Sequence, residues 1–107
     1  MVSFAEWQKL ELKVAKILAA EDIPGKDRLY KMQIDLGGEK RQIIAGIRPY
    51  YTKEQLAGKN IVVAANLDPV RIAGLESQAM LLAAKDERGG YKLVTIDESV
   101  LPGTKVE

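Results

Sequence analysis

Apolar and polar residues alternate with a period of two near the start of the chain, as expected for a half-buried β-strand. The alternation runs from Leu10 to Val14, with charged residues between the apolar ones. After Ala15 the apolar side continues at Ile17 and Ala19, one residue out of phase. A β-bulge produces such a slip, and barrels use bulges to bend a strand. The pattern therefore predicts a long, bulged first strand.

Shorter strands follow along the rest of the chain. They are predicted at residues 30–36, 41–45, 61–65, 80–84 and 91–96. Residues 30–36 alternate most regularly, whereas 61–65 and 80–84 are continuous apolar runs, typical of strands buried on both faces. A turn over residues 22–27 and the glycine pairs Gly37-Gly38 and Gly89-Gly90 separate these strands.

Two short helices are predicted at residues 4–10 and 53–57, each by a capping box at its start. The boxes are Ser3 with Glu6 and Thr52 with Gln55. Gly58 suits the position just past the end of the second helix.

Without the N-terminal helix and the sixth short strand, the order strand, strand, strand, helix, strand, strand is the plan of the OB-fold, an all-β, five-stranded barrel. The short N-terminal helix and the C-terminal segment are extensions of it. A small β-sandwich is the alternative, but the lone inserted helix and the bulged first strand favour the barrel. A length of 107 residues fits a single domain over residues 1–107.

The chain contains neither cysteine nor histidine. Disulfides and thiolate metal sites are therefore excluded, and the commonest general base and metal ligand is missing. We expect no cofactor, no metal and no catalytic activity of the chain's own. No long apolar run or apolar leader is visible, so we expect a cytoplasmic protein without membrane contact.

The net charge of +1 is unevenly distributed. Residues 26–60 carry eight basic and four acidic side chains, whereas residues 1–25 and 61–107 are each slightly acidic. A basic segment of this kind indicates either a polyanion-binding surface or an ordinary solvated face. Charge alone leaves both interpretations open.

In an OB-fold, oligonucleotides bind the face of strands 2 and 3, between the loops that follow strands 1 and 4. The corresponding side chains here are Lys26 and Arg28, then Lys31, Gln33 and Arg41, then Asn66, Arg71 and Ser77. Arginine binds phosphate oxygens in a forked geometry, and Asn and Ser form hydrogen bonds to sugar, phosphate or base edge. The barrel therefore predicts that these groups converge on one RNA-binding face.

Three runs carry a family resemblance. They read IPGKDRLY at residues 23–30, RQIIAGI at 41–47, and ANL at 65–67 continuing to GLESQAMLLAA at 74–84. In this order they resemble the tRNA-binding domain appended to methionyl-tRNA synthetases at the C-terminus. The same domain occurs as a free structure-specific tRNA-binding protein and as a cytokine-like extension of some synthetase-associated factors.

The resemblance implies an OB-fold that recognises tRNA mainly by shape and forms a homodimer. By position, the implied tRNA-contacting residues are Arg28, Arg41, Asn66, Arg71, Ser77 and Met80. The implied dimer interface comprises Phe4, Trp7, Leu101 and Pro102. Arg28 keeps the charge of the lysine usual in the family, whereas Asp68 replaces a residue that is often basic.

Several residues of these runs also have a purely structural interpretation. Met80 opens an apolar strand and is more often core than contact. Asn66 ends a strand and can cap the chain there. Ser77 has no histidine partner that could make it a nucleophile. Gly46 and Gly74 can serve backbone geometry alone.

The sequence thus predicts a non-catalytic tRNA-binding module that raises the tRNA affinity of methionyl-tRNA synthetase, as its appended domain or as a separate subunit. The expected partners are tRNA, a second copy of the chain and the catalytic part of that enzyme. The first alternative is a free family member acting as a tRNA-binding protein or polypeptide chaperone. The second is a dimerisation module with vestigial RNA affinity.

Overall fold

The computed structural model describes all 107 residues. Its elements are α1 (Phe4–Trp7), β1 (Leu12–Ile23), β2 (Lys26–Asp35), β3 (Lys40–Ala45), α2 (Lys53–Leu56), β4 (Asn60–Ala64), β5 (Val70–Ile72), β6 (Leu75–Ser77), β7 (Met80–Leu81), β8 (Ala83–Lys85), β9 (Tyr91–Leu93) and β10 (Lys105–Val106). Both predicted capping boxes form, although α1 is shorter than expected. Neither helix is long or apolar enough to cross a membrane.

The main sheet has the antiparallel order β3-β2-β1-β4-β7. Backbone and side-chain hydrogen bonds connect its two ends: the Gln78 N–H donates to the Gln42 carbonyl at 2.9 Å, and the Gln42 N–H donates to the side-chain Oε1 of Gln78 at 2.9 Å. The Ile44 N–H donates to Ser77 Oγ at 3.0 Å in the same place. These bonds join β3 to the segment between β6 and β7. The predicted all-β OB-fold is confirmed, and the sandwich alternative is wrong.

The bulge in β1 does not lie where the sequence predicted. Pairing with β4 is regular from Leu12 to Lys16, so no bulge accompanies the change of phase after Ala15. Both faces of the strand are buried there, since Val14 is 1% and Ala15 0% exposed. The bulge lies at Leu18, where the register with β2 shifts. The change of phase in the apolar pattern therefore marks the point where both faces of the strand are buried.

The segment between the first two strands was expected to be a loop. Instead β1 continues to Ile23 and β2 starts at Lys26, so only Pro24 and Gly25 form the turn. Gly25 has φ +75°, a conformation that glycine adopts without steric cost. Arg28 consequently lies on β2, near the tip of a long hairpin.

The expected loop after β4 contains a hairpin of β5 and β6, which sequence reasoning missed. Its turn is Ala73-Gly74, with φ +53° and +78°. The strand predicted at residues 80–84 is split into β7 and β8, and β9 is shorter than the predicted 91–96.

The C-terminal segment joins the sheet through β10, which pairs with Leu12 and Lys13 of β1. A Cβ at Gly37 would clash with the Pro102 carbonyl oxygen, so the β2–β3 turn lies directly against this segment. The main core inside the barrel includes Leu56 of α2, which is fully buried. By contrast, α1 buries none of its residues.

Candidate nucleic-acid interface

Arg28 projects from β2 and is exposed. Its Nη2 donates a hydrogen bond to Tyr50 Oη at 3.3 Å, and no carboxylate lies within ion-pair distance. Arg48 and Lys53, from the neighbouring loop and α2, both pair with Asp22, at 3.5 and 3.0 Å. The charge of Arg28 is therefore free for an anionic ligand, whereas that of its neighbours is partly neutralised.

The basic segment carries less free charge than its composition indicates. Four of its eight cations form ion pairs with carboxylates: Lys31, Arg41, Arg48 and Lys53. The four that do not are Lys26, Arg28, Lys40 and Lys59. The polyanion-binding interpretation thus depends on a smaller set of side chains.

Arg41 lies half-buried on β3 and its donors are largely occupied. Nη1 donates to the carbonyl oxygens of Ala65 and Gln78, and Nε and Nη2 donate to the Glu39 carboxylate at 3.2 Å. The guanidinium thereby ties the end of β4 to the segment that closes the barrel. Its geometry is that of a structural clamp.

Asn66 caps the junction between α1 and β1. Its Oδ1 accepts a hydrogen bond from the Glu11 N–H at 2.8 Å, and its Nδ2 donates to the Lys9 carbonyl at 2.6 Å. Asn66 therefore has a structural role, but it caps the distant residues 9–11 and not the end of its own strand. Neither of these atoms is left without a protein partner.

Ser77 is 4% exposed and is the single buried polar residue. Its hydroxyl accepts from the Ile44 N–H at 3.0 Å and donates to the Ala79 carbonyl at 3.1 Å. Burial keeps the side chain away from any ligand on the surface. Its role in the fold is to hold the β6–β7 segment against β3.

Arg71 and Met80 are both exposed, on and beside the β5–β6 hairpin. Arg71 donates to the Gly74 carbonyl at 2.8 Å, across the hairpin turn. Met80 is 54% exposed, so the interpretation of this residue as core is wrong. Together with Leu67 and Val70 it lines a small apolar hollow of about 130 Å³.

The expected interface residues are also exposed in part. Phe4 and Trp7 are 72% and 43% exposed and line a hollow with Leu10 and Val106. Leu101 is 81% exposed but does not line this hollow, and Pro102 is half-buried against the β2–β3 turn. Of the four expected interface residues, the structure therefore brings together Phe4 and Trp7.

Sequence reasoning missed the four tyrosines, which lie on one side of the barrel. The Tyr30 hydroxyl donates to the Tyr51 carbonyl at 2.8 Å, and the Tyr51 hydroxyl accepts from the Leu93 N–H at 2.9 Å. Tyr50 and Tyr91 pack edge to face, with ring centroids 5.7 Å apart. The run of Tyr50 and Tyr51 beside Arg48 was the one available signal in the sequence.

Asp86 is the one side chain with a clearly altered acidity. Hydrogen bonds from the Gly90 and Arg88 N–H groups lower the pKa of its carboxyl below the ordinary value of 3.8, with a smaller contribution from Lys92. This carboxylate shapes the β8–β9 turn. No group of three acidic side chains is placed to hold a metal ion.

A small antiparallel barrel of this topology, with unpaired cations along β2, belongs to the oligonucleotide-binding class of β-barrels. Residues 12–105 match the family of putative tRNA-binding domains, and the chain belongs to that family. The resemblance to the tRNA-binding domain appended to methionyl-tRNA synthetases is confirmed.

Proteins with similar sequences include two methionine–tRNA ligases. The chain is 48% identical over 105 residues to the methionine–tRNA ligase of Thermotoga maritima, and 44% identical over 99 residues to that of Methanocaldococcus jannaschii. These matches cover 98% and 92% of the chain, which spans only 16% and 15% of the two ligases.

Two solved structures match over almost their whole length. The MetRS-related protein of Pyrococcus horikoshii has a TM-score of 0.93 at 34% identity, covering 100% of this chain and 98% of that one. The chaperone CsaA of Bacillus anthracis has a TM-score of 0.90 at 30% identity, covering 100% and 99%.

Proposed function

We propose that this chain is a single, non-catalytic domain that binds tRNA as a homodimer, through phosphate contacts and tRNA shape. The observation that carries the proposal is the unpaired Arg28 on the ligand-binding face of a chain that belongs to a tRNA-binding family. An arginine without a carboxylate partner can give its full charge to a phosphate.

The six predicted contact residues divide into two groups. Arg28, Arg71 and Met80 are exposed and are proposed to touch RNA directly. Arg41, Asn66 and Ser77 have their hydrogen-bonding atoms engaged within the chain. We propose that they act by shaping the surface that the first group presents.

The proposed homodimer interface centres on α1. A helix that buries none of its residues within its own chain, and exposes Phe4 and Trp7, has an apolar face available to a second copy. Leu101 and Pro102 are proposed to extend this surface. Two barrels would place two cationic faces on one tRNA, and linkage of this kind raises affinity by roughly 10²–10⁴.

The proposed partner in the cell is the catalytic part of a methionyl-tRNA synthetase, covalently attached or separate. Support comes from the ligases of which the chain matches a short portion. The domain would raise the tRNA affinity of the enzyme in the cytoplasm, and it would need no cofactor.

The test is tRNA binding measured against salt. With about 3–5 phosphates neutralised, the slope of log affinity against log salt should be near −3 to −4. Absence of binding at low salt would overturn the proposal.

A polypeptide chaperone is the second candidate, favoured by the likeness to CsaA and by the exposed apolar hollow beside Met80. Binding of an unfolded polypeptide should persist at high salt, because apolar burial is not screened, whereas tRNA binding should be lost. The two ligands measured over one salt series distinguish the two functions.

A further inference from the structure

A third hollow, of about 190 Å³, lies between the end of β3 and the β8–β9 hairpin. Its lining consists of Gly46, Ile47, Leu81, Ala83 and Tyr91. The surface is therefore mainly apolar with one aromatic ring. The hollow is shallow and open to solvent, and none of the predicted site residues lines it.

Cations stand on two sides of this hollow. On one side, the backbone of Arg28 adjoins the floor, since its carbonyl oxygen would lie 3.8 Å from a Cβ at Gly46, and its guanidinium donates to the hydroxyl of Tyr50, which packs on Tyr91. On the other side, Lys85 Nζ lies 5.9 Å from the centroid of the Tyr91 ring. Neither Arg28 nor Lys85 pairs with a carboxylate. The exposed Arg88 lies in the turn of the same hairpin.

Tyr50 fixes these two sides relative to each other. Its hydroxyl accepts a hydrogen bond from Arg28 at 3.3 Å and donates one to the Gly89 carbonyl at 3.3 Å. Its ring also packs edge to face on Tyr91, at an interplanar angle of 76°. Cations from two distant parts of the chain are thereby held around one aromatic surface.

Two residues of the hollow have atoms or space that the fold leaves unused, although the Tyr91 ring itself packs against the core. Gly46 lacks a positive φ, and a Cβ there would make only ordinary contacts with Arg28 and Leu29. Tyr91 differs from the other three tyrosines in that its hydroxyl has no hydrogen-bond partner. An open floor and an aromatic ring are, however, what a nucleobase needs.

We propose that this hollow seats one unstacked RNA base against the Tyr91 ring, while Arg28 on one side and Lys85 and Arg88 on the other bind the adjacent phosphates. Stacking on aromatic rings is the usual way in which proteins hold unpaired bases, and cations beside the ring hold the backbone. This inference rests on the proposed tRNA-binding function and names a contact within it.

The aromatic contribution is tested by a pair of substitutions. Tyr91→Leu keeps an apolar side chain but removes the ring, and should weaken tRNA binding about 5- to 100-fold without changing the salt slope. Tyr91→Phe keeps the ring and should bind like the wild type. A fully paired RNA duplex offers no base to the hollow, so both variants should bind it as the wild type does.

The cationic contribution is tested by the double variant Lys85→Ala/Arg88→Ala, at two exposed positions, where substitutions usually change stability little. Its affinity for tRNA should fall and its salt slope should become shallower by about 2. Glu87→Gln in the same turn removes a negative charge and should strengthen binding.

The outcomes separate two failures. If the wild type does not bind tRNA at low salt, the proposed function fails. If the wild type binds but the Lys85/Arg88 double variant matches it in affinity and slope, the base-seating proposal alone is overturned. Equal losses of tRNA and duplex binding in Tyr91→Leu would also overturn it. So would a Tyr91→Leu variant that binds tRNA like the wild type and loses only the binding of an unfolded polypeptide.

Discussion

The side chain of Asn66 accepts a hydrogen bond from the backbone N–H of Glu11, 55 positions earlier in the chain. In the same contact its amide donates to the Lys9 carbonyl, so both functions of the side chain hold the start of β1. A residue that resembles an RNA contact by position is thus a cap of the N-terminal segment.

Asn66→Ala should therefore act on stability. Loss of two hydrogen bonds to exposed backbone groups should lower the free energy of unfolding by about 1 kcal/mol, since water replaces part of what is lost. Urea unfolding measures this change. Asn66→Asp retains the acceptor but sets a carboxylate oxygen against the Lys9 carbonyl oxygen, so it should not restore the lost stability. An unchanged free energy in both variants would contradict the capping role.

Ser77→Ala should be more costly, because the side chain is buried. The substitution leaves the Ile44 N–H and the Ala79 carbonyl without their partner, a loss of about 1–3 kcal/mol. Ser99 provides a matched control, since it is exposed and accepts one long hydrogen bond from Asn60. Ser99→Ala should stay within about 0.5 kcal/mol of the wild type in the same unfolding experiment.

The barrel could be predicted because its signals are local. Ser3 with Glu6 and Thr52 with Gln55 form capping boxes over three positions, and the alternation in β2 depends on that strand alone. The β5–β6 hairpin was missed because Ala73-Gly74 is a weak turn signal compared with Asn-Gly or Gly-Gly. Likewise β10 has two residues, and its pairing with Leu12 depends on the folded chain.

The site was predicted less well, for a physical reason. A sequence shows which residue types could bind RNA, but not which donors are already used. Arg41 is engaged by Ala65 and Gln78, and Ser77 by Ile44, all more than twenty positions away. Arg28 and Arg41 thus look equivalent in the sequence and differ in the fold.

Substitutions of these two arginines should separate charge from structure. Arg28→Ala should weaken tRNA binding, make the salt slope shallower by about 1 and leave stability within about 0.5 kcal/mol. Arg41→Ala removes a clamp with several hydrogen bonds and should lower the free energy of unfolding by about 1–3 kcal/mol. Salt titrations of tRNA binding and urea unfolding of both variants test this, and Arg28→Lys should preserve the slope.

The Asp86 carboxylate makes stability depend on pH. Its pKa is lower in the folded state, mainly because the Gly90 and Arg88 N–H groups donate to it. The folded state therefore gains stability above the ordinary pKa of 3.8, and this gain is lost as pH falls through the lower folded value. Asp86→Asn should be less stable than the wild type near neutral pH and should approach it in strong acid. A difference that is constant across the pH range would contradict the assignment.

Trp7→Ala tests the proposed interface on α1. Trp7 is 43% exposed and α1 has no buried residue, so the substitution should leave the fold of the barrel itself intact. It should convert the dimer to a monomer in sedimentation experiments and lower tRNA affinity by roughly 10²-fold, because the second barrel no longer shares the ligand. Leu18, 41% exposed on β1, provides the control, and Leu18→Ala should remain dimeric. A Trp7→Ala monomer that kept full tRNA affinity would show that one barrel is sufficient for binding.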